Sequence, residues 1–316
     1  MPVVSRIEKK FEYYLDFPSE VRTMVINEME PSDKCRFTRC SKSTRSEVKS
    51  LKDFLHTLEL HSSYITSVYV DYDEDGNYGF KYHFIKTAVN SYMTYHNVDG
   101  HELWKADLCH TTSLLEVTVE TFKRLLQAYQ GQIREMTITG FEGRELENID
   151  FGVYNFNRLE HLHIGTNVNL PQLLSQIRKP LKSFDSIANI ATDLIYEQIN
   201  PVQDILHVPF CDFSYPQLLN LSASRITCHI GELGIEDILN FIESWQNGEV
   251  RDNFRKCTWK LDGTSFDVNR LFQRLQVEIN PDAMSKTNIR KHQESDEIAE
   301  LLWENSGILK FKIMLI

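Results

Sequence analysis

The sequence predicts an α+β fold: a small N-terminal three-helix module (residues 12–52), then a larger, irregular, leucine-rich-repeat-like strand/helix solenoid (53–316). Three observations predict it. Apolar residues recur at three- and four-residue steps from Val21 to Met29, the spacing of one helix face. From Phe54 the period changes to two, the spacing of strands. Beyond position 110 a short strand pattern followed by a helical one recurs along the chain.

In the module, Pro18 followed by Glu20 reads as a helix start, because proline suits the first turn and an acid there complements the helix dipole. Val21, Met24, Val25 and Met29 form one apolar stripe, and Pro31 ends the helix. Ser32 can cap a second helix carrying Cys35, Phe37 and Cys40, and Ser43–Leu51 reads as a short third. So short a set of helices buries little by itself and needs core from a neighbour.

The next segments, "TLEL", "YITSVYV" and "YGFKYHF", alternate like strands, the last two joined across "DYDEDGN". Asp71, Asp73, Asp75 and Gly76 match the opening of a calcium-binding loop, but its twelfth position, which needs a bidentate glutamate, is Tyr82. The reading preferred here is an acidic hairpin with Asp75-Gly76 at the turn.

The repeat pattern, apolar-x-x-apolar-x-apolar, occurs as "IREMTI", "LEHLHI", "LKSFDS", "LLNLSA" and "FRKCTW", at intervals of 22 to 37 positions from residue 133. Helical stretches such as "LPQLLSQIRK" and "GIEDILNFIESW" lie between the copies. A strand plus a helix per repeat is solenoid logic, with a generic α+β sheet covered by helices on one face as the alternative. In such strands the residues between the apolar positions share the outer face. That face would comprise Glu135 and Thr137, His161 and His163, Ser183 and Asp185, Asn220 and Ser222, and Lys256 and Thr258. Trp245 reads as core at a helix end, with Gly248 permitting the turn beyond it.

The composition constrains the chemistry. The formal net charge is −11, which disfavours broad phosphate binding. Yet Lys34–Lys52 holds seven basic residues against Glu47 alone, so this window is +6 and the rest of the chain −17. Six cysteines without a CxxC pair read as buried thiols in a reducing compartment rather than zinc ligands or disulfides. No signal-peptide core and no long apolar run is present, which predicts a cytoplasmic or nuclear protein without a membrane partner. Nucleotide-binding, zinc-protease and serine-hydrolase motifs are all missing. His161 and His163 could in principle hold a metal, but on the outer side of a repeat strand they read as contact residues, so no metal and no cofactor is expected.

Residues 17–45 resemble an F-box. Phe17-Pro18, Glu20-Val21, Val25-Ile26 and Met29 fill its first helix, followed by Asp33, Cys35, Phe37, Cys40-Ser41-Lys42 and Arg45. Cysteines replace the usual Leu and Val at 35 and 40, and Thr44 stands where Trp or Leu is common. Leu218–Leu261 is similar to the F-box-associated region of the large nematode F-box families (boundaries about 200–262), through Glu236-Asp237, Asn240-Phe241-Ile242, Trp245 and Gly248. The resemblance implies a non-catalytic receptor subunit of a cullin-based (SCF-type) ubiquitin ligase. Its F-box would dock a Skp-type adaptor, and the cullin through it, by way of Phe17, Pro18, Val21, Val25, Ile26, Met29, Cys35 and Phe37. The C-terminal repeats would hold an unknown target protein. The alternatives are a nucleic-acid-binding protein gripping through the basic helices 33–52, and an interaction scaffold with a decayed F-box.

Overall fold

The computed structural model describes residues 17–27, 29, 37, 44, 47, 55–62, 66–72, 79–86, 91–97, 100–108, 113–129, 131–140, 146, 149–187, 192–229, 231, 233–261, 266–276, 285–290, 297–304 and 307–315. Two compact units divide the chain, Met1–Arg134 and Glu135–Ile316.

The first unit opens with helix α1 (Ser19–Asn27), whose first bonded turn runs from the Arg22 N–H to the Pro18 carbonyl at 3.0 Å. Of the two further helices expected here, Phe37, Thr44 and Glu47 are described, each in helical conformation. Then come strands β1 (Leu55–Ser62), β2 (Thr66–Asp71), β3 (Gly79–Lys86), β4 (Ser91–Asn97) and β5 (Glu102–Leu108), each antiparallel to the next. The expected hairpin is there, with Thr66 opposite Phe84 and Asp71 opposite Gly79, while its tip at Asp75-Gly76 lies outside the described residues. Leu58, Leu60, Val68, Val70, Tyr82 and Phe84 are buried, as period-two alternation requires. Helix α2 (Leu114–Tyr129) packs on β2 and β3 through Phe122, Leu125, Leu126 and Tyr129.

From β6 (Ile133–Thr139), in which the second unit begins at Glu135, six strands run parallel in strict chain order: β6, β7 (His161–Gly165), β8 (Ser183–Ser186), β9 (Ile205–Asp212), β10 (Arg225–His229) and β11 (Lys256–Lys260). One ladder position recurs at residues 135, 161, 183, 205, 225 and 256, an interval of 20 to 31 residues. Three more strands, β12 (Ser285–Arg290), β13 (Glu297–Glu304) and β14 (Ile308–Leu315), continue the sheet antiparallel from β11 in the order β11-β14-β13-β12. Between the parallel strands lie helices α3 (Leu170–Ser175), α4 (Tyr196–Ile199), α5 (Tyr215–Asn220) and α6 (Ile235–Gln246), and α7 (Val268–Arg274) follows β11.

The core of this unit is one row of inward side chains, Met136, Leu162, Phe184, Leu206, Ile226 and Cys257, backed by Ile138, Ile164, Val208, Cys228 and Trp259. Helix α6 closes it. Phe241 meets Trp259 and Phe311 edge-on at 5.6 and 5.8 Å, and Trp245 meets Phe311 at 5.3 Å. Glu236 and Asp237 occupy its first turn, and Gly248 beyond its last takes φ 77°, the left-handed conformation that glycine adopts without a Cβ clash. Cys211, Cys228 and Cys257 are free, buried thiols. Cys35, Cys40 and Cys109 lie outside the described residues.

One repeat is displaced from its expected place. "LLNLSA" is not a strand: Leu218–Asn220 end helix α5, Leu221–Ala223 have no regular structure, and the strand follows at Arg225. Pro216 in the first turn and the Gln217 side chain, which accepts the Ser214 backbone N–H at 2.9 Å, start a helix there instead. The spacing that points inward is Ala223-x-x-Ile226-x-Cys228, all buried, in which smaller residues replace the leucines. Strand β9 lies parallel between β8 and β10, where the pattern had no copy. Its Pro209 has no N–H for a ladder bond, and the pairing with β10 jumps there from Cys228–Val208 to His229–Asp212.

Candidate interaction surfaces

Helix α1 divides its apolar residues between two roles. Ile26 and Phe37 are buried against each other, with Met29 packed beside them. Phe17, Val21, Met24 and Val25 stay open to solvent, Met24 at 67% exposure, and Pro18 is exposed as well. A stripe with a 3.6-residue period can be read from sequence, but which part of it meets the module's own core cannot. Of the expected set, Ile26 and Phe37 are buried in the module, while Phe17, Pro18, Val21 and Val25 are open. Met24, visible in the stripe, belongs with the open group. Cys35 lies outside the described residues.

Thr44 has a clear local task. It is buried, and its hydroxyl donates to the Phe37 carbonyl at 2.8 Å, so a polar side chain at this position satisfies a buried backbone acceptor. Arg22 ties the helix down from the other side, pairing with Glu47 at 2.8 Å and donating to the Phe17 carbonyl at 2.8 Å. At the helix start, Glu20 receives its own backbone N–H and the Ser19 hydroxyl, which hold its carboxyl below the usual range.

The outer face of the parallel ladder in the second unit is polar and half-exposed. One row runs Glu135, His161, Ser183, Ile205, Arg225, Lys256, and the next runs Thr137, His163, Asp185, His207, Thr227, Thr258. Eight of the ten residues expected on this face are on it. Asn220 and Ser222 are not, because the strand of their repeat begins at Arg225. Thr258 is the one buried member of the eight. Ile205, His207, Arg225 and Thr227 were missed. The alternation of Leu206 with Val208 and of Ile226 with Cys228 carried their signal, but Pro209 and the weakly apolar Ala223 obscured it.

Asp185 sits at the centre of these rows. His163 donates Nδ1–H to one of its oxygens at 2.9 Å and His207 to the other at 2.8 Å. Burial raises the carboxyl's proton affinity, but the hydrogen bonds and charges of His207 and His163 outweigh it, holding Asp185 below the ordinary carboxylate value. His161 bonds Ser183 at 2.7 Å with Glu135 at 3.9 Å, and His229 bonds Asp212 at 2.7 Å. The imidazoles thus form cross-strand braces through Nδ1. Among the described residues no group of three or more His, Cys, Asp or Glu is placed to hold a metal ion, and no helix is long and apolar enough to cross a membrane.

Residues 14–56 match the F-box domain family. No curated protein and no solved structure matches the chain. The F-box match begins and ends a few residues later than the expected 12–52, and it does not extend to Leu218–Leu261. F-box domains bind Skp-type adaptors in SCF complexes, and proteins that carry one are generally non-catalytic substrate receptors. An F-box here therefore points to a substrate adaptor of an SCF-type ubiquitin ligase. The basic helices 33–52, the grip of the nucleic-acid alternative, lie outside the described residues except for Phe37, Thr44 and Glu47, of which the first two are buried.

Proposed function

We propose that this chain is the substrate-recognition subunit of an SCF-type ubiquitin ligase. Its F-box docks the Skp-type adaptor, and through it the cullin, while the second unit holds a target protein for ubiquitin transfer. The observation that carries the proposal is the F-box match at 14–56, together with the open apolar group Phe17, Val21, Met24 and Val25 inside it. Apolar residues left open on so small a module mark a surface that a partner covers.

We read the second unit as an irregular leucine-rich-repeat-like solenoid. Sequential parallel strands at intervals of 20 to 31 residues, with helices between them, support this reading. The Leu218–Leu261 segment supports the nematode F-box-associated assignment in that its helix carries Glu236-Asp237 in the first turn and buries Phe241, Ile242 and Trp245. Such a subunit works in the cytoplasm or nucleus. The target-binding residues are those of the outer face centred on His163, Asp185 and His207.

The experiment is co-precipitation of the full chain with a Skp-type adaptor, in wild type and in a Pro18→Ala, Val21→Asp variant. Wild type should capture the adaptor and the variant should lose it while the second unit's thermal transition is unchanged. Failure of wild type, where a standard F-box succeeds, removes the ligase function.

A further inference from the structure

We propose that the outer sheet face of the second unit carries a docking stripe for an acidic segment of the target protein, with Arg225, Lys256 and Lys312 as its anion-binding groups. The proposal rests on the reading of this unit as the target-binding one.

The three cations come from distant parts of the sequence and meet in one ladder row. Arg225 is the register partner of Lys256, and Lys256 that of Lys312, on strands β10, β11 and β14. Neighbouring strands stand about 4.8 Å apart, so the backbone positions of the three cations span about 10 Å. Like charges directly opposite on a sheet repel, and internal counter-ions normally relieve them. Here none does. Among the described residues, Arg225, Lys256 and Lys312 make no ion pair, and Arg225 and Lys312 are exposed. The next residue along the row, Glu300, is engaged by Lys286 at 3.6 Å, and nearby Lys310 is engaged by Glu304. A row of three adjacent cations stands out in a chain whose net charge is −11.

An apolar flank accompanies it. Ile205 is the register partner of Arg225 on the side away from Lys256 and is 36% exposed. Phe210, further along the same strand, is 51% exposed, with the Lys260 ammonium 6.0 Å from its ring. Carboxylates on the ligand would neutralise the row, and one apolar side chain among them would cover Ile205 or Phe210. A fixed short row flanked by aliphatic and aromatic surface fits an acidic peptide better than a long phosphate backbone, which would meet the acidic remainder of the chain.

The test uses the full chain with its adaptor and a short fluorescein-labelled peptide of alternating Glu and Ala with a central Leu, read by anisotropy. Two controls carry Gln for Glu, or phosphoserine as the only acid; a third is a single-stranded oligoribonucleotide. The Glu peptide should bind, weaken as salt is raised, and lose at least about tenfold in affinity with Lys256→Gln plus Lys312→Gln, with an unchanged thermal transition as the check that the half-buried Lys256 position still folds. Arg225→Gln provides an independent second variant. Binding of the Gln peptide equal to that of the Glu peptide, unchanged affinity in both variants, or preference for the phosphopeptide or the RNA overturns the proposal. Adaptor capture is measured in parallel. Capture without peptide binding overturns this stripe alone, and peptide binding without capture overturns the ligase reading and leaves the stripe standing.

Discussion

His207 donates its Nδ1–H to Asp185 across 2.8 Å, joining strands β9 and β8 at residues 22 apart in sequence. With His163 on the other oxygen, one carboxylate braces three parallel strands on their outer side.

Being half-exposed, that brace contributes little to stability. Asp185→Asn should cost less than about 1 kcal/mol, the range of exposed ion pairs. Phe184→Ala, one residue away but fully buried, should cost about 3–5 kcal/mol through lost burial and a residual cavity. Urea denaturation of both variants checks the contrast. Equal losses would mean that the outer row is structural rather than displayed for a partner.

The F-box module should respond to charge in two different ways. Met24→Asp places a carboxylate on the open side of helix α1 and should abolish adaptor capture with the helix intact. Ile26→Asp puts an unpaired carboxylate against Phe37, a cost of several kcal/mol, and should unravel the module itself. Limited proteolysis across residues 17–47 separates the two outcomes: only the Ile26 variant should be cut faster than wild type.

His83 makes stability depend on pH. Burial first, and then the charges of Lys81 and His96, push its pKa from the ordinary 6.5 down to about 4. Its ring lies edge-on to His96 at 4.8 Å, and Nδ1 is buried without a hydrogen-bond partner. The unfolded chain takes up this proton near pH 6.5 and the folded chain only near pH 4, so stability falls as pH falls between those values. Outside that window His83 adds no slope. His83→Gln should flatten this part of a pH series of urea midpoints, and an unaltered slope would remove His83 as the cause.

Calcium should not bind the acidic hairpin with an affinity tighter than millimolar. Asp71, the first position of the supposed loop, is buried in β2 and accepts the Tyr69 hydroxyl at 2.9 Å. Tyr82, at the closing position, is buried in β3, and both flanks are strands where a calcium loop of this type has helices. Isothermal titration with calcium decides it, and a micromolar constant would overturn this reading.

The sequence by itself determined the elements whose signal is local. Alternation at Leu58 and Leu60, Val68 and Val70, Met136 and Ile138, and Leu162 and Ile164 marked strands and their inward faces. The period of Ile238, Phe241, Ile242 and Trp245 marked helix α6 with its buried side. The F-box was legible because its motif lies within one short stretch. Backbone geometry imposes these periods residue by residue, so a short window contains them. Strands β4, β5, β12, β13 and β14 carry no repeat motif, and segments such as SKTNIR in β12 have too few apolar residues to show a period of two.

Only the tertiary structure decided which neighbours the elements meet. It separated Ile26 from Val21 on one apolar stripe, because burial depends on where Phe37 falls rather than on the helical period. It moved the fourth repeat from Leu218 to Ala223, because a capped turn at Ser214–Gln217 outweighed a leucine spacing that fits helix and strand alike. It also set Arg225, Lys256 and Lys312 side by side. Cross-strand register depends on the lengths and packing of the connections between strands, and no local window of sequence contains those.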